Sequence, residues 1–213
     1  MPTPTRQRYG GRTADERRAE RRARLLDAGL ELFGTRGYAN TSIEALCAAT
    51  RLNPRYFYES FDTREALLRA VYDRHMERLA ATVRVALADA PLEPRGRVEA
   101  GLRAFVETQL ADHRNARITY LEIVGVSLEL EHHRRGILRR FAELIEHEAD
   151  RLAGTGQLPA RDHRLTALAL GGATDGLLAD CFTSEHPPAE EAIIATLVDL
   201  FVAAFTGRDD PHA

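Results

Sequence analysis

Residues 41–68 read TSIEALCAATRLNPRYFYESFDTREALL, and this stretch decides the fold. Near its middle Asn53 precedes Pro54, which is a strong signal for the start of a helix. An asparagine side chain caps free backbone N–H groups, and proline fits the first helical turn because it has no N–H to lose. We therefore predict a short helix from Pro54 to about Ser60, preceded by a tight connection at residues 50–52.

Further helix starts flank this short helix. The spacing of a capping box occurs twice here, in Thr41 with Glu44 and in Asp62 with Glu65. The two boxes predict a helix over residues 42–49 and a long helix over residues 63–89.

A third capping box, Thr13 with Glu16, predicts a helix that runs to about Thr35. Before it, residues 1–12 are expected to form a flexible basic arm, because prolines and glycines alternate there with arginines.

The rest of the chain also shows helical periodicity, and no segment alternates as a strand would. Asn115 and Ser127 are expected helix caps. Five more helices are predicted, over residues 95–113, 115–125, 128–153, 162–184 and 188–206, and a polar tail over 208–213. The fold class is therefore expected to be all-α.

A tight turn between the second and third of three short helices is typical of a helix-turn-helix. In the third helix Phe57 is expected to face inward, whereas Arg55, Tyr56 and Tyr58 face outward. Arginine suits guanine edges and phosphates, and a tyrosine hydroxyl suits a phosphate. The pattern predicts a helix that reads the major groove of double-stranded DNA.

The charge distribution agrees with this interpretation. The net charge is -3, yet residues 1–64 carry 12 arginines against 8 acidic residues, whereas residues 65–213 carry 17 against 24. The chain contains no lysine, so every side-chain phosphate contact through a fixed cation must use a guanidinium group, which can bind two oxygens at once. The N-terminal part, which we call the head, is basic, and the rest of the chain, which we call the body, is acidic. This distribution favours a polyanion as the partner of the head.

Residues 21–68 resemble the N-terminal module of the TetR family (TetR/AcrR-type) of transcriptional regulators. The matching segments are Leu25-Leu26-Asp27-Ala28, Leu32-Phe33, Arg36-Gly37-Tyr38, Thr41-Ser42-Ile43, Ala45-Leu46, Tyr56-Phe57-Tyr58-Glu59-Ser60-Phe61 and Arg64-Glu65-Ala66-Leu67-Leu68. The resemblance implies a three-helix DNA-binding domain over residues 13–68. It also implies a helical ligand-binding and dimerisation domain over residues 69–207.

The resemblance also implies residue roles. The residues expected to contact DNA are Thr41, Ser42, Asn53, Pro54, Arg55, Tyr56, Tyr58 and Arg64. Arg12 or Arg18 is expected to add a phosphate or minor-groove contact. Packing of Tyr56 or Tyr58 between helices is the alternative interpretation.

Four positions depart from the family pattern. Arg51 stands where the family usually has glycine, and Arg55 with Tyr56 stands where it has a small residue and threonine. Arg64 replaces a lysine and keeps its phosphate role. Because Arg55 and Tyr56 alter the reading surface, no operator sequence is carried over from relatives.

The body is expected to form a homodimer through the helices at 162–184 and 188–206, which have apolar faces suited to a four-helix bundle. Polar and aromatic residues on its apolar stripes are candidate ligand contacts. They are Phe105, Gln109, Tyr120, Arg134, Phe141, Glu148 and Asp175. The alternative is that the polar members form hydrogen bonds or salt bridges between helices and that the phenylalanines belong to the core.

These features predict a homodimeric repressor that a small molecule releases from a palindromic operator, although activation is left open. The alternatives are a DNA-binding regulator controlled by a protein partner or by dimerisation, and a helical enzyme or carrier. No catalytic, cofactor or metal motif supports an enzyme, since Cys47, Cys181 and the histidines lack ligand spacing. No run of 18 apolar residues and no signal peptide is present, so a cytoplasmic protein without a membrane span is expected.

Overall fold

The computed structural model describes residues 13–207, and every regular element in that range is helical. The predicted basic arm at 1–12, with Arg12, and the predicted tail at 208–213 lie outside the described residues. The helices are α1 (Ala14–Arg36), α2 (Ile43–Thr50), α3 (Pro54–Tyr58), α4 (Arg64–Asp89), α5 (Pro94–Leu110), α6 (His113–Arg117), α7 (Leu128–Gly154), α8 (Arg164–Thr183) and α9 (Glu190–Thr206). The expected all-α class is confirmed.

Most helices begin near the capping residues that were predicted, although the capping residue itself differs at some starts. The capping box of Thr13 and Glu16 is confirmed, and Asn53 and Ser127 cap α3 and α7 as predicted. Three cap assignments are wrong, because a neighbouring side chain accepts the free N–H group instead. The actual caps are Ser42 rather than Thr41, Thr63 rather than Asp62, and Asp112 rather than Asn115.

The helix predicted over 115–125 is wrong in form. Helix α6 passes directly into a π-helical turn at Ile118–Glu122, and the Ile123 N–H donates to the Ile118 carbonyl at 3.1 Å. A turn of this width places residues five apart nearly on one face. Ile118 and Ile123 are both buried.

Two hydrophobic clusters form the core of the described chain. The first unites α1–α4 and also takes Ile118, Ile123, Leu130 and Ile137 from the body. The second lies among α5, α7, α8 and α9 and includes Leu102, Leu170, Leu197 and Phe201. Cys47 and Cys181 are buried, unpaired members of these clusters, as expected for packing residues.

Polar contacts fasten the π-helical turn and α6 to the first helices. Glu122 accepts a hydrogen bond from the Tyr38 N–H at 2.6 Å and pairs with Arg117 at 2.8 Å. Arg114 pairs with Glu31 of α1 at 2.7 Å. Two routes therefore join the head to the body, the long helix α4 and this docking of α6 on α1.

Within the described range, α8 is long and apolar enough to cross a membrane by length and composition. A helix at the core or at a subunit interface of a soluble protein passes the same test. Asp175 and Asp180 interrupt α8, and only 28% of its apolar window is buried in the single chain. Leu165 and Leu168 are among its exposed residues.

Candidate DNA interface and ligand cavity

The third helix is held by its buried side and presents its other side to solvent. Phe57 is fully buried and packs edge-to-face against the ring of Tyr58 at 5.5 Å between centroids. The Asn53 carboxamide accepts from the Arg55 N–H at 3.0 Å, which fixes the first turn. Asn53, Pro54, Arg55, Tyr56 and Tyr58 are all exposed. The four predicted groove-reading residues and the predicted phosphate contact Tyr58 are therefore all open to solvent.

The connection before this helix is unusual in its backbone. Arg51 has φ 53° and ψ 37°, the left-handed region, and it is the one non-glycine residue with a positive φ in the described chain. Its N–H donates to the Ala48 carbonyl at 3.2 Å, and the Leu52 N–H donates to the Cys47 carbonyl at 3.0 Å. The helix-turn-helix is closed here by an arginine in a conformation that favours glycine.

The start of α2 brings together three predicted contact residues. Ser42 is exposed, and its hydroxyl accepts from the Ala45 N–H at 3.2 Å. Arg64 stacks on the Tyr38 ring at 4.2 Å and donates to the Thr41 carbonyl at 2.5 Å. A partial positive charge at the helix start and a guanidinium group thus lie side by side, an arrangement suited to one phosphate.

Thr41 itself does not present its hydroxyl to this surface. It is 1% exposed, and its hydroxyl donates to the Gly37 carbonyl at 2.8 Å. Its hydroxyl is therefore engaged inside the protein, and the predicted contact of Thr41 with DNA at the phosphate-facing start of α2 stays a prediction.

Arginines of α1 extend the exposed surface. Arg21 lies over the ring of Tyr56 at 4.5 Å, and Arg22 lies over the ring of Phe61 at 4.3 Å. Arg18 donates to the Glu59 carbonyl at 2.9 Å. Tyr56 is 38% exposed while it carries this stacked cation, so its ring both packs on Arg21 and faces solvent.

Sequence reasoning missed Arg21 and Glu59. Both carry ordinary charges for a helical surface, and only the crossing of α1 and α3 brings them within 3.5 Å of each other. The spacing of Arg55 and Glu59, which are four residues apart at the end of the predicted third helix, was the available signal.

The body encloses an apolar cavity of about 110 Å³ among α4, α5, α7, α8 and α9. Four of the seven predicted ligand contacts line it: Phe105, Phe141, Glu148 and Asp175. The two phenylalanine rings meet edge-to-face at 5.4 Å between centroids. Burial raises the pKa of the Asp175 carboxyl, although the nearby Arg134 guanidinium opposes this shift.

The cavity wall also contains an ion pair between buried Arg97 and half-buried Glu148, and Arg97 was not among the predicted residues. Arg97 is 2% exposed, and its Nε donates to Glu148 at 2.8 Å. A buried cation needs such a partner because its desolvation is costly.

The other three candidates do not line the cavity. Gln109 lies in a buried hydrogen-bonded chain, 2.5 Å from the His75 ring nitrogen and 3.1 Å from the Tyr120 hydroxyl. Arg134 bridges Asp175 at 3.2 Å and Glu131 at 3.1 Å. Their positions match the alternative interpretation, polar contacts between helices.

A shallower groove of about 420 Å³ lies on the outer side of α7 and α8. It shares Leu138 and Gly171 with the cavity, so the two spaces adjoin. Its basic residues are His132, Arg135 and Arg139. In the described part of the chain no group of three or more His, Cys, Asp or Glu side chains has the arrangement of a metal site.

Comparisons with known proteins agree with this geometry. Residues 25–71 match the family described as bacterial regulatory proteins, tetR family. The chain is 24% identical over 208 residues to the HTH-type transcriptional regulator EthR of Mycolicibacterium smegmatis, a match that covers 95% of this chain and 94% of EthR.

Solved structures share the fold over most of their length. The transcriptional regulator FadR from Bacillus subtilis in complex with stearoyl-CoA aligns with a TM-score of 0.76 at 16% identity, over 86% of this chain and 98% of FadR. AibR in complex with isovaleryl coenzyme A and operator DNA aligns with a TM-score of 0.64 at 18% identity, over 84% of this chain and 97% of AibR.

Proposed function

This chain belongs to the TetR family of bacterial regulatory proteins, and on that premise we propose that it is a cytoplasmic homodimeric repressor that a small molecule releases from a palindromic operator. The observation that carries the DNA-binding part is the open surface of α3. Asn53, Arg55, Tyr56 and Tyr58 are exposed there while Phe57 anchors the helix from behind. Such a helix presents its N-terminal residues to base edges in the major groove.

TetR-family regulators generally act as dimers, and the surface of the body suits a second copy of this chain. The exposed residues of α8 are mostly small or apolar, namely Leu165, Leu168, Ala169, Gly172, Ala173 and Gly176. Those of α9 include Ala192, Ala195, Leu200 and Ala203. Small side chains let two helix pairs approach closely, and a two-fold axis through them makes a four-helix bundle.

The effector site that we propose is the apolar cavity together with the adjoining basic groove. The similar structures of FadR and AibR hold acyl-CoA molecules, which combine an apolar chain with an anionic head. Here an acyl chain would enter between Phe105 and Phe141, and a phosphate would meet Arg135 or Arg139 in the groove. Gly171 lies where the two spaces adjoin.

The α4 residues in the cavity wall support a coupling between ligand and DNA. Ligand sites usually measure about 300–1,000 Å³, so a cavity of about 110 Å³ must widen to admit an acyl chain. Val83 and Leu87 of α4 form part of its wall. Widening therefore pushes on the helix that carries the head, which changes the spacing of the two reading helices and favours the DNA-free state.

The second candidate is a DNA-binding regulator controlled by a protein partner. The small volume of the cavity in this structure favours it, because a well-packed body needs no ligand. DNA binding and the α8–α9 dimer are common to both proposals.

The DNA-binding part is tested first. A duplex is selected from a random library by the wild-type protein, and its affinity is measured by fluorescence anisotropy at several salt concentrations. Arg55→Ala should weaken binding to this duplex by about 1–3 kcal/mol and relax base preference, whereas Arg95→Ala, which removes an exposed arginine of the body, should leave it unchanged. Failure to select any duplex would reject DNA-binding function.

The effector part is tested by titrating the same complex with acyl-CoA molecules of increasing chain length, with free coenzyme A as the control. A longer chain should release the duplex at lower concentration. Gly171→Val should weaken the response without affecting DNA binding, because its added Cβ has room at 3.9 Å but its branches narrow the junction. If no acyl-CoA alters DNA affinity, partner control is the better proposal.

A further inference from the structure

A single carboxylate lies among the cations of the reading surface. Glu59 follows α3 directly, and its two oxygens bind different arginines. Oε1 accepts from Arg55 Nε at 3.2 Å, and Oε2 lies 3.5 Å from Arg21 Nη2. The Glu59 carbonyl also accepts from Arg18 at 2.9 Å. Three arginines therefore converge on one residue.

The atoms used in these contacts matter for base reading. Glu59 engages the Nε edge of Arg55, which leaves both Nη groups free, and the Arg55 side chain is 83% exposed. The commonest specific contact in the major groove is an arginine donating twice to O6 and N7 of guanine. The two Nη groups of Arg55 can make that contact while Nε stays on Glu59.

The same carboxylate has the opposite effect on phosphate contacts. Non-specific binding comes from cations that neutralise phosphates and release counterions. Arg21 and Arg55 are each partly neutralised by Glu59, and its negative charge repels a phosphate that approaches them. Arg21 or Arg55 would therefore gain little binding energy by leaving Glu59 to pair with a phosphate.

We propose that Glu59 is a specificity-determining positioning residue, which orients Arg55 toward a base edge and withholds Arg21 and Arg55 from the DNA backbone. This inference rests on the proposed DNA-binding function. The inference goes beyond that function because it assigns discrimination between DNA sequences to Glu59, a residue that is not expected to touch DNA itself.

The test compares wild type with Glu59→Gln on two duplexes, the selected one and a random duplex of equal length. Glutamine keeps the size of the side chain and removes its charge. Affinity for the random duplex should rise about 3- to 10-fold, and the plot of log affinity against log salt should steepen by about one phosphate equivalent. Affinity for the selected duplex should rise less or fall, so the ratio of the two affinities decreases.

Glu31→Gln is the matched control, because Glu31 lies on α1 but pairs with Arg114 of the body. It changes the net charge equally and should leave the ratio unchanged. In an Arg55→Ala background the effect of Glu59→Gln on the ratio should shrink to the part that Arg21 contributes, since coupled residues are not additive. Thermal melting of each variant separates these effects from a loss of folding.

Two outcomes would overturn the inference. One is an unchanged affinity ratio in Glu59→Gln. The other is an equal change in the ratio for Glu31→Gln, which would assign the effect to net charge alone. Neither outcome affects the proposed DNA-binding function, which fails only if the wild type selects no duplex.

Discussion

Gly34 of α1 lies directly against the backbone of Arg114 in α6: a Cβ added to Gly34 would come 2.8 Å from the Arg114 Cα. Real Cβ atoms do not approach a backbone atom this closely. The docking of the body on the first helix therefore requires glycine at this position, and the Arg114–Glu31 ion pair at 2.7 Å lies beside the contact.

Gly34→Ala is expected to destabilise the protein by about 1–2 kcal/mol. Alanine gains up to about 1 kcal/mol in a helix, but overpacking against a backbone costs about 1–3 kcal/mol, and here the steric cost is the larger. The control is Gly136→Ala in α7, where an added Cβ meets nothing within 4 Å, so this variant should be more stable than wild type. Urea unfolding measures both, and a stabilised Gly34→Ala would contradict the close approach.

Arg51→Gly is expected to stabilise the head by about 1 kcal/mol. A non-glycine residue in the left-handed region costs about 1–2 kcal/mol, and Arg51 has φ 53°, while glycine also loses more backbone entropy on folding. Arg51→Ala retains the strained Cβ and should give no such gain. Thermal melting of the three proteins decides the matter, and equal melting temperatures for the glycine and alanine variants would refute backbone strain.

Leu168→Arg is expected to convert the proposed dimer to a monomer. Leu168 is 45% exposed on α8, and an arginine there would bury a charge against the partner copy. Val85→Arg, at a residue of α4 that is 63% exposed, introduces the same charge outside the proposed interface. Light scattering should show a halved mass for the first variant only, and affinity for the selected duplex should fall with it. A dimeric Leu168→Arg would place the interface elsewhere.

Gln109→Leu is expected to cost about 2–4 kcal/mol of stability. It leaves the His75 ring nitrogen and the Tyr120 hydroxyl without their partner in a buried site, and each unpaired group costs about 1–3 kcal/mol. Tyr120→Phe removes only the hydroxyl at one end of this series of hydrogen bonds and should lower stability less, by about 1 kcal/mol. The contrary result, in which Tyr120→Phe is the more damaging variant, would show that Gln109 does not join the two groups.

His75 should make stability depend on pH. Burial lowers its pKa below the ordinary value of 6.5, against the opposing effect of the Gln109 hydrogen bond. As pH falls below about 6.5, His75 of the unfolded chain takes up a proton, whereas the buried His75 of the native protein stays neutral. Protonation therefore favours the unfolded state, and the free energy of unfolding decreases as pH falls below that value. The stability of wild type relative to His75→Gln should shrink between pH 7.5 and 5.5. A constant difference would contradict a neutral buried His75.

The head was predictable because its signals are local. Asn53-Pro54 and the phenylalanine at position 57 fix where α3 begins and which side it buries, and neither depends on distant residues. Shifts such as Ser42 for Thr41 arise because two adjacent hydroxyls can each serve as a cap, and burial decides between them. A sequence shows the pair but not the burial.

The body was less predictable because its site depends on which helices cross. Gln109 and Glu148 both stand as polar residues on apolar stripes, yet one joins His75 to Tyr120 and the other lines the cavity. The π-helical turn at Ile118–Glu122 has no strong local signature either. Its first residue Ile118 and the following Ile123 both belong to the first core cluster, which depends on how the helices cross.

That shared cluster limits how regulators of this kind can be recombined. Residues 13–68 do not complete their own core, since Ile118, Ile123, Leu130 and Ile137 belong to it and Glu122 holds the backbone at Tyr38. A chimaera that joins only this segment to a relative's body would leave apolar surface of the first cluster exposed. It would also lose the hydrogen bond that holds the backbone at Tyr38, before α2. A functional exchange of operator specificity would have to transplant the α6–α7 surface with the head, or confine itself to the exposed side of α3.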